Sequence, residues 1–204
     1  MKRKIGILAY GSLIEDPGEE LRAAQEREPV SVTTPFKVEF ARSSANRGGA
    51  PTLVPADEGG AAVPARVLIL HDWVDEPTAR AMLWRRETGR TGLPPYDTSR
   101  TDLGPNRVRI VRLENFADVD VVLYAQLGAN IRPLNPQRLA ELAIASALSS
   151  HVPKGQDGIG YLRTRLRNGV RTPLSDLYAT EVERQIGCGL VVLGYWPLRF
   201  PPLQ

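Results

Sequence analysis

Cysteine and histidine are almost absent from this chain of 204 residues, which contains one cysteine, Cys188, and two histidines, His71 and His151. A single cysteine cannot form an internal disulfide bond. Together with two distant histidines it does not make up a zinc site, and no group of Asp and Glu residues has the spacing of a site for a hard cation. The sequence therefore predicts no metal centre.

Long hydrophobic runs are lacking as well. The longest apolar stretches, VVLYAQLGANI and GLVVLGYWPL, are too short to span a bilayer. The stretch MKRKIGILAYGSL has basic residues before an apolar segment, but it lacks the longer apolar region and the small-residue cleavage site of a secretory signal. We therefore expect a cytoplasmic protein.

The charge balance is weakly basic, with 26 Lys and Arg residues against 23 Asp and Glu residues and a net charge of +3. The basic residues are scattered, have few aromatic residues among them and match no nucleic-acid-binding module. This pattern favours solvated helix faces and a site for an acidic small molecule over a nucleic-acid or membrane partner. The oligomeric state stays open, with a homodimer as one option.

Apolar periodicity and capping residues predict a series of strands and helices. The strands are expected over 4–10, 36–41, 51–54, 62–70, 107–114, 119–127 and 189–196. The helices are expected over 16–28, 75–89, 135–151, 157–169 and 175–187. The first helix should begin with Asp16 as its N-cap and Pro17 at its first position, and should be short, polar and exposed.

Two local patterns predict how the early strands pack. In the segment FKVEFA, apolar residues alternate with Lys37 and Glu39, which is typical of a strand with one buried and one solvated face. A turn around Gly59 and Gly60 joins two apolar runs, which favours a hairpin.

The order of elements predicts an α+β fold in a single domain over residues 1–204. Strands with one inserted helix are followed by helices and by a closing strand, so the strict alternation of a doubly wound parallel sheet is absent. A mixed or antiparallel sheet, closed into a small β-barrel and flanked by helices, fits this order better.

The first apolar strand ends abruptly in the residues Tyr10, Gly11, Ser12 and Leu13. Gly11 has no Cβ to keep a ligand away from the backbone, and successive N–H groups after a strand can bind a carboxylate or an oxyanion. Ser12 adds a hydroxyl, and Tyr10 can act as a wall or a donor. The alternative is a tight turn in which Ser12 bonds to its own backbone. A nucleophilic role for Ser12 is disfavoured, because no Gly-x-Ser-x-Gly motif surrounds it.

Glu87 is the candidate acid or base. It shares an i, i+4 row with Ala79 and Leu83, so it should lie at the edge of the core. Partial burial and the carboxyl end of the helix dipole both disfavour its charged form, which is the setting of a general base near neutral pH. The alternative is a structural ion pair with Arg86 or Arg90.

These motifs resemble those of the γ-glutamylcyclotransferase-like proteins, and most closely those of the ChaC-like branch. The segment YGSLIEDPG resembles the Tyr-Gly-Ser-Leu signature and its continuation, and LWRRETG resembles the segment that carries the catalytic glutamate, which maps onto Glu87. Weaker similarity in NRGGAPTLVPADEGGAAVPARVLIL, VLYAQLGANIRPLNPQRLAELA and GYLRTRLRNGVRTPLSDLYATEVERQ extends the resemblance over most of the chain.

The resemblance implies a small mixed β-barrel flanked by helices and the release of 5-oxoproline from a γ-glutamyl amine or peptide. Glu87 would transfer the proton, residues 10–13 would hold a substrate carboxylate or oxyanion, and no metal or other cofactor would be needed. Arg47 and Tyr124 are further candidates for substrate contact, with packing as the alternative role for each. Tyr161 and Trp196 are expected in the core.

One departure from the family pattern affects the substrate. After Glu87 the ChaC-like proteins usually have Gly-Gly-Tyr, whereas this chain has Thr88, Gly89 and Arg90, with Tyr96 further on. The leaving group, and whether glutathione is a substrate, therefore stay open. A second hypothesis is a non-catalytic protein that binds a small anion in the same site.

Overall fold

The computed structural model describes residues 3–89, 107–150, 152–153 and 155–187, and these residues form a mixed α+β fold. The predicted strand over 189–196 lies outside them. Among the helices described, none is both long enough and apolar enough to cross a bilayer. The elements in chain order are β1 (Ile5–Ala9), α1 (Glu19–Ala24), β2 (Val30–Thr33), β3 (Val38–Ser44), β4 (Ala50–Pro55), β5 (Pro64–Ile69), α2 (Glu76–Thr88), β6 (Arg109–Phe116), β7 (Val119–Gln126), α3 (Pro136–Ala147), α4 (Gly158–Arg167) and α5 (Ser175–Ile186).

The chain divides into two compact units, each built from two segments of sequence. The first unit comprises Met1–Val38 and Val54–Ala129, and the second comprises Glu39–Leu53 and Asn130–Gln204. The first unit holds a five-stranded sheet with α1 and α2, and the second holds most of the β3–β4 pair with the three later helices. The expectation of one domain over 1–204 stays a prediction.

The five-stranded sheet has the order β2-β5-β1-β7-β6. β1 runs parallel to β7, while the other neighbouring strands are antiparallel. The predicted mixed sheet is therefore confirmed. Across the residues that the structure describes, no ladder joins the edge strands β2 and β6, so the closed barrel stays a prediction.

The central strand β1 explains the continuous apolar run near the start of the chain, because all five of its residues are buried. On one face of the sheet, Ile5, Ile7 and Ala9 pack with α1 and α2 in an apolar cluster, which we call the helix-side cluster. On the other face, Leu8 packs with residues of β5 and β7, and we call this the far-side cluster. Because both faces of β1 are covered, its residues are apolar throughout and do not alternate between apolar and polar.

The first helix differs from its prediction. It begins at Glu19 with Gly18 as N-cap, because Gly18 has a φ of 79°, outside the helical region. Asp16 does not cap the helix, and its Oδ1 instead accepts a hydrogen bond from the Gly18 N–H at 3.2 Å. The helix is not simply exposed either, since Leu21 and Ala24 are fully buried in the helix-side cluster.

The predicted hairpin around Gly59 and Gly60 is wrong. β4 pairs with β3, whereas β5 pairs with β1 and β2. The loop between β4 and β5 bonds to the start of β3. The N–H of Val38 donates to the Ala61 carbonyl at 2.8 Å, and the Val38 carbonyl accepts a bond from the Ala61 N–H at 3.1 Å. A Cβ at Gly60 would lie 2.6 Å from the Val38 carbonyl oxygen, so this close approach requires glycine.

The predicted solvated face of the strand over 36–41 is wrong at Glu39, which is only 3% exposed, although Lys37 is exposed as predicted. Glu39 Oε1 accepts hydrogen bonds from the Thr172 hydroxyl at 2.6 Å and the Phe40 N–H at 2.8 Å, and its Oε2 accepts one from the Leu174 N–H at 3.3 Å. These donors replace the water that a carboxylate loses on burial.

Aromatic rings form part of the core of the second unit. The rings of Tyr161 and Tyr178 both contact that of Phe40 edge-on, with centroid distances of 6.3 and 5.5 Å. The Tyr161 hydroxyl accepts a hydrogen bond from the Leu53 N–H at 3.3 Å, which confirms its place in the core. The Tyr178 hydroxyl is buried and has no hydrogen-bond partner among the residues described, and burial raises the pKa of Tyr178 well above its ordinary value.

We expect Tyr178→Phe to stabilise the protein by about 1 kcal/mol, because the change removes a buried polar group that has no partner. Above about pH 10 the unfolded chain loses the Tyr178 proton while the folded chain keeps it. The native state then binds more protons, so the stability of the wild type falls as the pH rises through this range, and the variant should lose this contribution. Urea unfolding at pH 7.5 and pH 10.5 measures both effects.

The matched control is Tyr161→Phe. Tyr161 contacts the same ring, that of Phe40, but this substitution removes the hydrogen bond from the Leu53 N–H. It should lower the free energy of unfolding at neutral pH by about 1 kcal/mol. Equal effects of the two substitutions would contradict the description of Tyr178.

Candidate functional site

Helix α2 carries Glu87 to the edge of the core as the sequence predicts. The Asp75 side chain caps the helix by accepting a hydrogen bond from the Thr78 N–H at 2.9 Å, and Gly89 closes it with a φ of 64°. Ala79 and Leu83 are fully buried in the helix-side cluster. Glu87 continues their row by one turn, and its side chain is 16% exposed.

The segment after β1 forms a 3₁₀ turn over Gly11–Ile14. Gly11 has a φ of 62°, a conformation that favours glycine, and Leu13 turns into the helix-side cluster. In a 3₁₀ turn the third residue, here Leu13, is the first whose N–H bonds within the turn. The N–H of Ser12 therefore takes no part in the turn's own i→i+3 bonds. The Ser12 carbonyl accepts the N–H of Asp16 at 3.0 Å, which fixes the chain beyond the turn.

Arg86 brings the turn and Glu87 together. Its Nη1 donates to Glu87 Oε1 at 2.8 Å, and its Nη2 donates to Ser12 Oγ at 3.4 Å. The same guanidinium donates to the Asp16 carbonyl from Nε at 3.1 Å and from Nη2 at 2.6 Å. The two candidate segments, 75 residues apart in sequence, therefore meet at one arginine side chain.

The ion pair between Arg86 and Glu87 is the structural alternative that the sequence left open. Both side chains are mostly buried, with 17% of Arg86 and 16% of Glu87 exposed. Arg90, the other candidate partner, lies outside the described residues. The arrangement can hold a carboxylate beside a turn, and it can bring a positive charge close to an anion bound there.

Tyr10 and Tyr124 belong to the opposite face of the sheet. The Tyr10 hydroxyl donates to the Ala125 carbonyl at 2.6 Å, so its proton is used within the fold. The Phe36 ring links the two tyrosines, since it meets Tyr10 edge-on at 5.5 Å and stacks on Tyr124 at 4.4 Å. Both tyrosines pack in the far-side cluster, and burial raises the pKa of Tyr124.

Arg47 lies in the second unit, and its described contacts are internal to that unit. Its Nη1 donates to the Gln156 carbonyl at 2.8 Å, and its guanidinium carbon lies 5.0 Å from the centre of the Tyr161 ring. Its carbonyl accepts a hydrogen bond from the Ser146 hydroxyl. These contacts fit the packing role that the sequence kept as an alternative, and a substrate contact by Arg47 stays a prediction.

Sequence reasoning missed the role of Arg86 beyond the ion pair. Its hydrogen bonds to Ser12 and Asp16 join residues 74 and 70 positions apart in sequence, and no local pattern indicates them. In the part of the chain that the structure describes, no group of three or more His, Cys, Asp or Glu residues could hold a metal ion. Trp196, Tyr96, Cys188 and His151 lie outside that part.

Comparison with known proteins gave no relatives. No protein-family model, no curated protein and no solved structure matches this chain. The resemblance of its motifs to the γ-glutamylcyclotransferase-like proteins therefore stays a prediction.

We expect Tyr10→Phe to lower the free energy of unfolding by about 1 kcal/mol, because the Ala125 carbonyl loses its donor. Tyr124→Phe is the matched control, since it changes a neighbouring ring of the same stack without removing a described hydrogen bond. It should change the stability by less than about 0.5 kcal/mol. Urea unfolding of both variants measures the difference, and equal losses would contradict the contact.

Proposed function

We propose that this chain is a γ-glutamylcyclotransferase-type enzyme that releases 5-oxoproline from a γ-glutamyl amine or peptide. One observation carries the proposal: the Arg86 guanidinium bonds both to Ser12, in the turn after the first strand, and to the largely buried carboxylate of Glu87. The resemblance of YGSLIEDPG and LWRRETG to the family motifs supports the same two segments.

In the proposed reaction Glu87 accepts a proton from the α-ammonium group of the substrate. The free amine attacks the γ-carbonyl carbon of the same molecule, and the carbonyl electron pair moves to oxygen. The tetrahedral intermediate collapses as the bond to the leaving nitrogen breaks, and Glu87 returns its proton to that nitrogen. The ring nitrogen gives up its second proton as it becomes an amide, and the released amine takes this proton and leaves as an ammonium ion. The products are 5-oxoproline and the free amine or peptide, so atoms and protons balance.

The nucleophile in this scheme belongs to the substrate, and the ring that closes has five members. Because the reacting groups are in one molecule, positioning supplies a large part of the rate, and no metal or cofactor is required for the attack. The backbone N–H groups of the turn over 10–13 would bind the substrate carboxylate or the developing oxyanion. The proposal includes the closed barrel of the family and a cytoplasmic location.

The alternative is a protein that binds a small anion in the same site without turnover. The ion pair of Arg86 with Glu87 favours it, because this pair occupies the carboxylate and keeps a positive charge beside the turn. Such a protein would bind glutamate or 5-oxoproline and release nothing from a γ-glutamyl compound.

Release of 5-oxoproline from a panel of γ-glutamyl amines and peptides, glutathione included, tests the proposal by chromatography. We expect Glu87→Gln to lower kcat by about 10²- to 10⁴-fold, because the amide cannot accept the proton. Glu20→Gln is the matched control, since Glu20 is also bonded to an arginine of α2, Arg85, but at an exposed position. It should leave kcat unchanged.

Thermal unfolding in the presence of glutamate or 5-oxoproline separates the two functions. Stabilisation that persists in Glu87→Gln, together with no turnover by either form, supports the anion-binding protein. Full activity in Glu87→Gln would contradict the proposed mechanism.

A further inference from the structure

The geometry points to Arg86 as a positioning residue, which fixes the Glu87 carboxylate relative to the turn over 10–13 and does not itself bind substrate. This inference rests on the proposed function for its consequence in catalysis, but the geometric part stands without it. It gives a role to a residue that takes no part in the steps of the proposed reaction.

The hydrogen bonds of Arg86 argue against a direct contact with substrate. A guanidinium has five N–H donors. Four hydrogen bonds run from this one to the Asp16 carbonyl, the Ser12 hydroxyl and the Glu87 carboxylate. A guanidinium whose donors are used in this way is held in place by the protein, and it holds the protein groups in turn.

The loop before α1 is shaped around the arginine. Gly18 has a φ of 79°, and a Cβ at this position would lie 3.2 Å from Arg86 Cγ. The Asp16 carboxylate bonds to the Gly18 N–H, and this bond holds the loop in the turn that directs the Asp16 carbonyl toward the guanidinium. The glycine therefore serves two purposes, a left-handed backbone and room for the stem of the arginine.

The position of Glu87 explains why such a device is needed. A carboxylate in the last turn of a helix faces the negative end of the helix dipole. An adjacent guanidinium offsets this repulsion and selects one orientation of the carboxylate. Because the same guanidinium is bonded to the Asp16 carbonyl and to Ser12, the orientation is fixed relative to the turn as well as to the helix.

Arg86→Lys keeps the positive charge, but a lysine cannot reproduce the set of hydrogen bonds that the planar guanidinium donates. Arg86→Ala removes the charge and the hydrogen bonds. Arg85→Lys is the control for the first, because Arg85 is the neighbouring arginine of α2 and is bonded to Glu20. Gly18→Ala places a methyl group 3.2 Å from Arg86 Cγ and so displaces the arginine without replacing it. Gly59→Ala is its control, since Gly59 has a φ of 68° and a Cβ there would meet no atom within 4 Å.

When the wild type releases 5-oxoproline, steady-state kinetics give the first readout. We expect Arg86→Lys to lower kcat by about 10- to 100-fold with KM changed by less than about threefold, and Gly18→Ala to lower kcat more than Gly59→Ala does. Guanidinium chloride at concentrations below unfolding should restore part of the kcat of Arg86→Ala and none of that of Glu87→Gln. A raised KM with unchanged kcat, or no effect of Arg86→Lys, overturns the inference.

When the wild type has no activity on the panel, the proposed function fails and the positioning is judged by hydrogen exchange. Arg86→Lys should accelerate exchange of the amides over 12–16 by about tenfold, because the bonds to Ser12 and Asp16 hold this segment, and Arg85→Lys should not. Unchanged exchange in Arg86→Lys overturns the inference in this case.

Discussion

The arrangement of the candidate site depends on the hydrogen bonds that the Arg86 guanidinium donates. The guanidinium bonds to a backbone carbonyl at Asp16, a hydroxyl at Ser12 and a carboxylate at Glu87, with 17% of its side chain exposed. Hydrogen bonds to a charged group contribute about 1.5–3 kcal/mol each, well above the value of an exposed ion pair. The candidate site is therefore held by a largely buried cation that bonds to several groups at once.

The arginine can act in this way only because helix α2 has a fixed rotation on the sheet. The cap at Asp75 sets the start of the helix, and the burial of Ala79 and Leu83 sets the face that it presents to the sheet. With that face fixed, positions 86 and 87 lie at the rim of the helix-side cluster. The local signals of the helix thus determine the place of Glu87, and its carboxylate bonds to Arg86, whose stem lies against Gly18.

The parts of the fold that the sequence predicted correctly have local causes. The helices predicted over 75–89, 135–151 and 157–169 are present, and Asp75, Asn135 and Asp157 cap them through hydrogen bonds to residues three positions further on. The wrong predictions concern partners far along the chain. Glu39 is buried because Thr172 and Leu174 supply donors from 133 and 135 residues away, and no alternation pattern contains that information. The same holds for Arg86. The sequence offered its ion pair with Glu87 as an alternative, but no local pattern indicated its bonds to the turn.

The break in the first strand has a physical explanation in the two faces of the sheet. Tyr10 still packs in the far-side cluster, whereas Leu13 packs in the helix-side cluster, so the chain crosses from one face to the other between them. The left-handed conformation of Gly11 allows this crossing within two residues. The crossing lies at the carboxyl ends of β1 and β7, which are parallel neighbours. The crossing accounts for the glycine at this point, and the contact of Ser12 with Arg86 joins the turn to the proposed site.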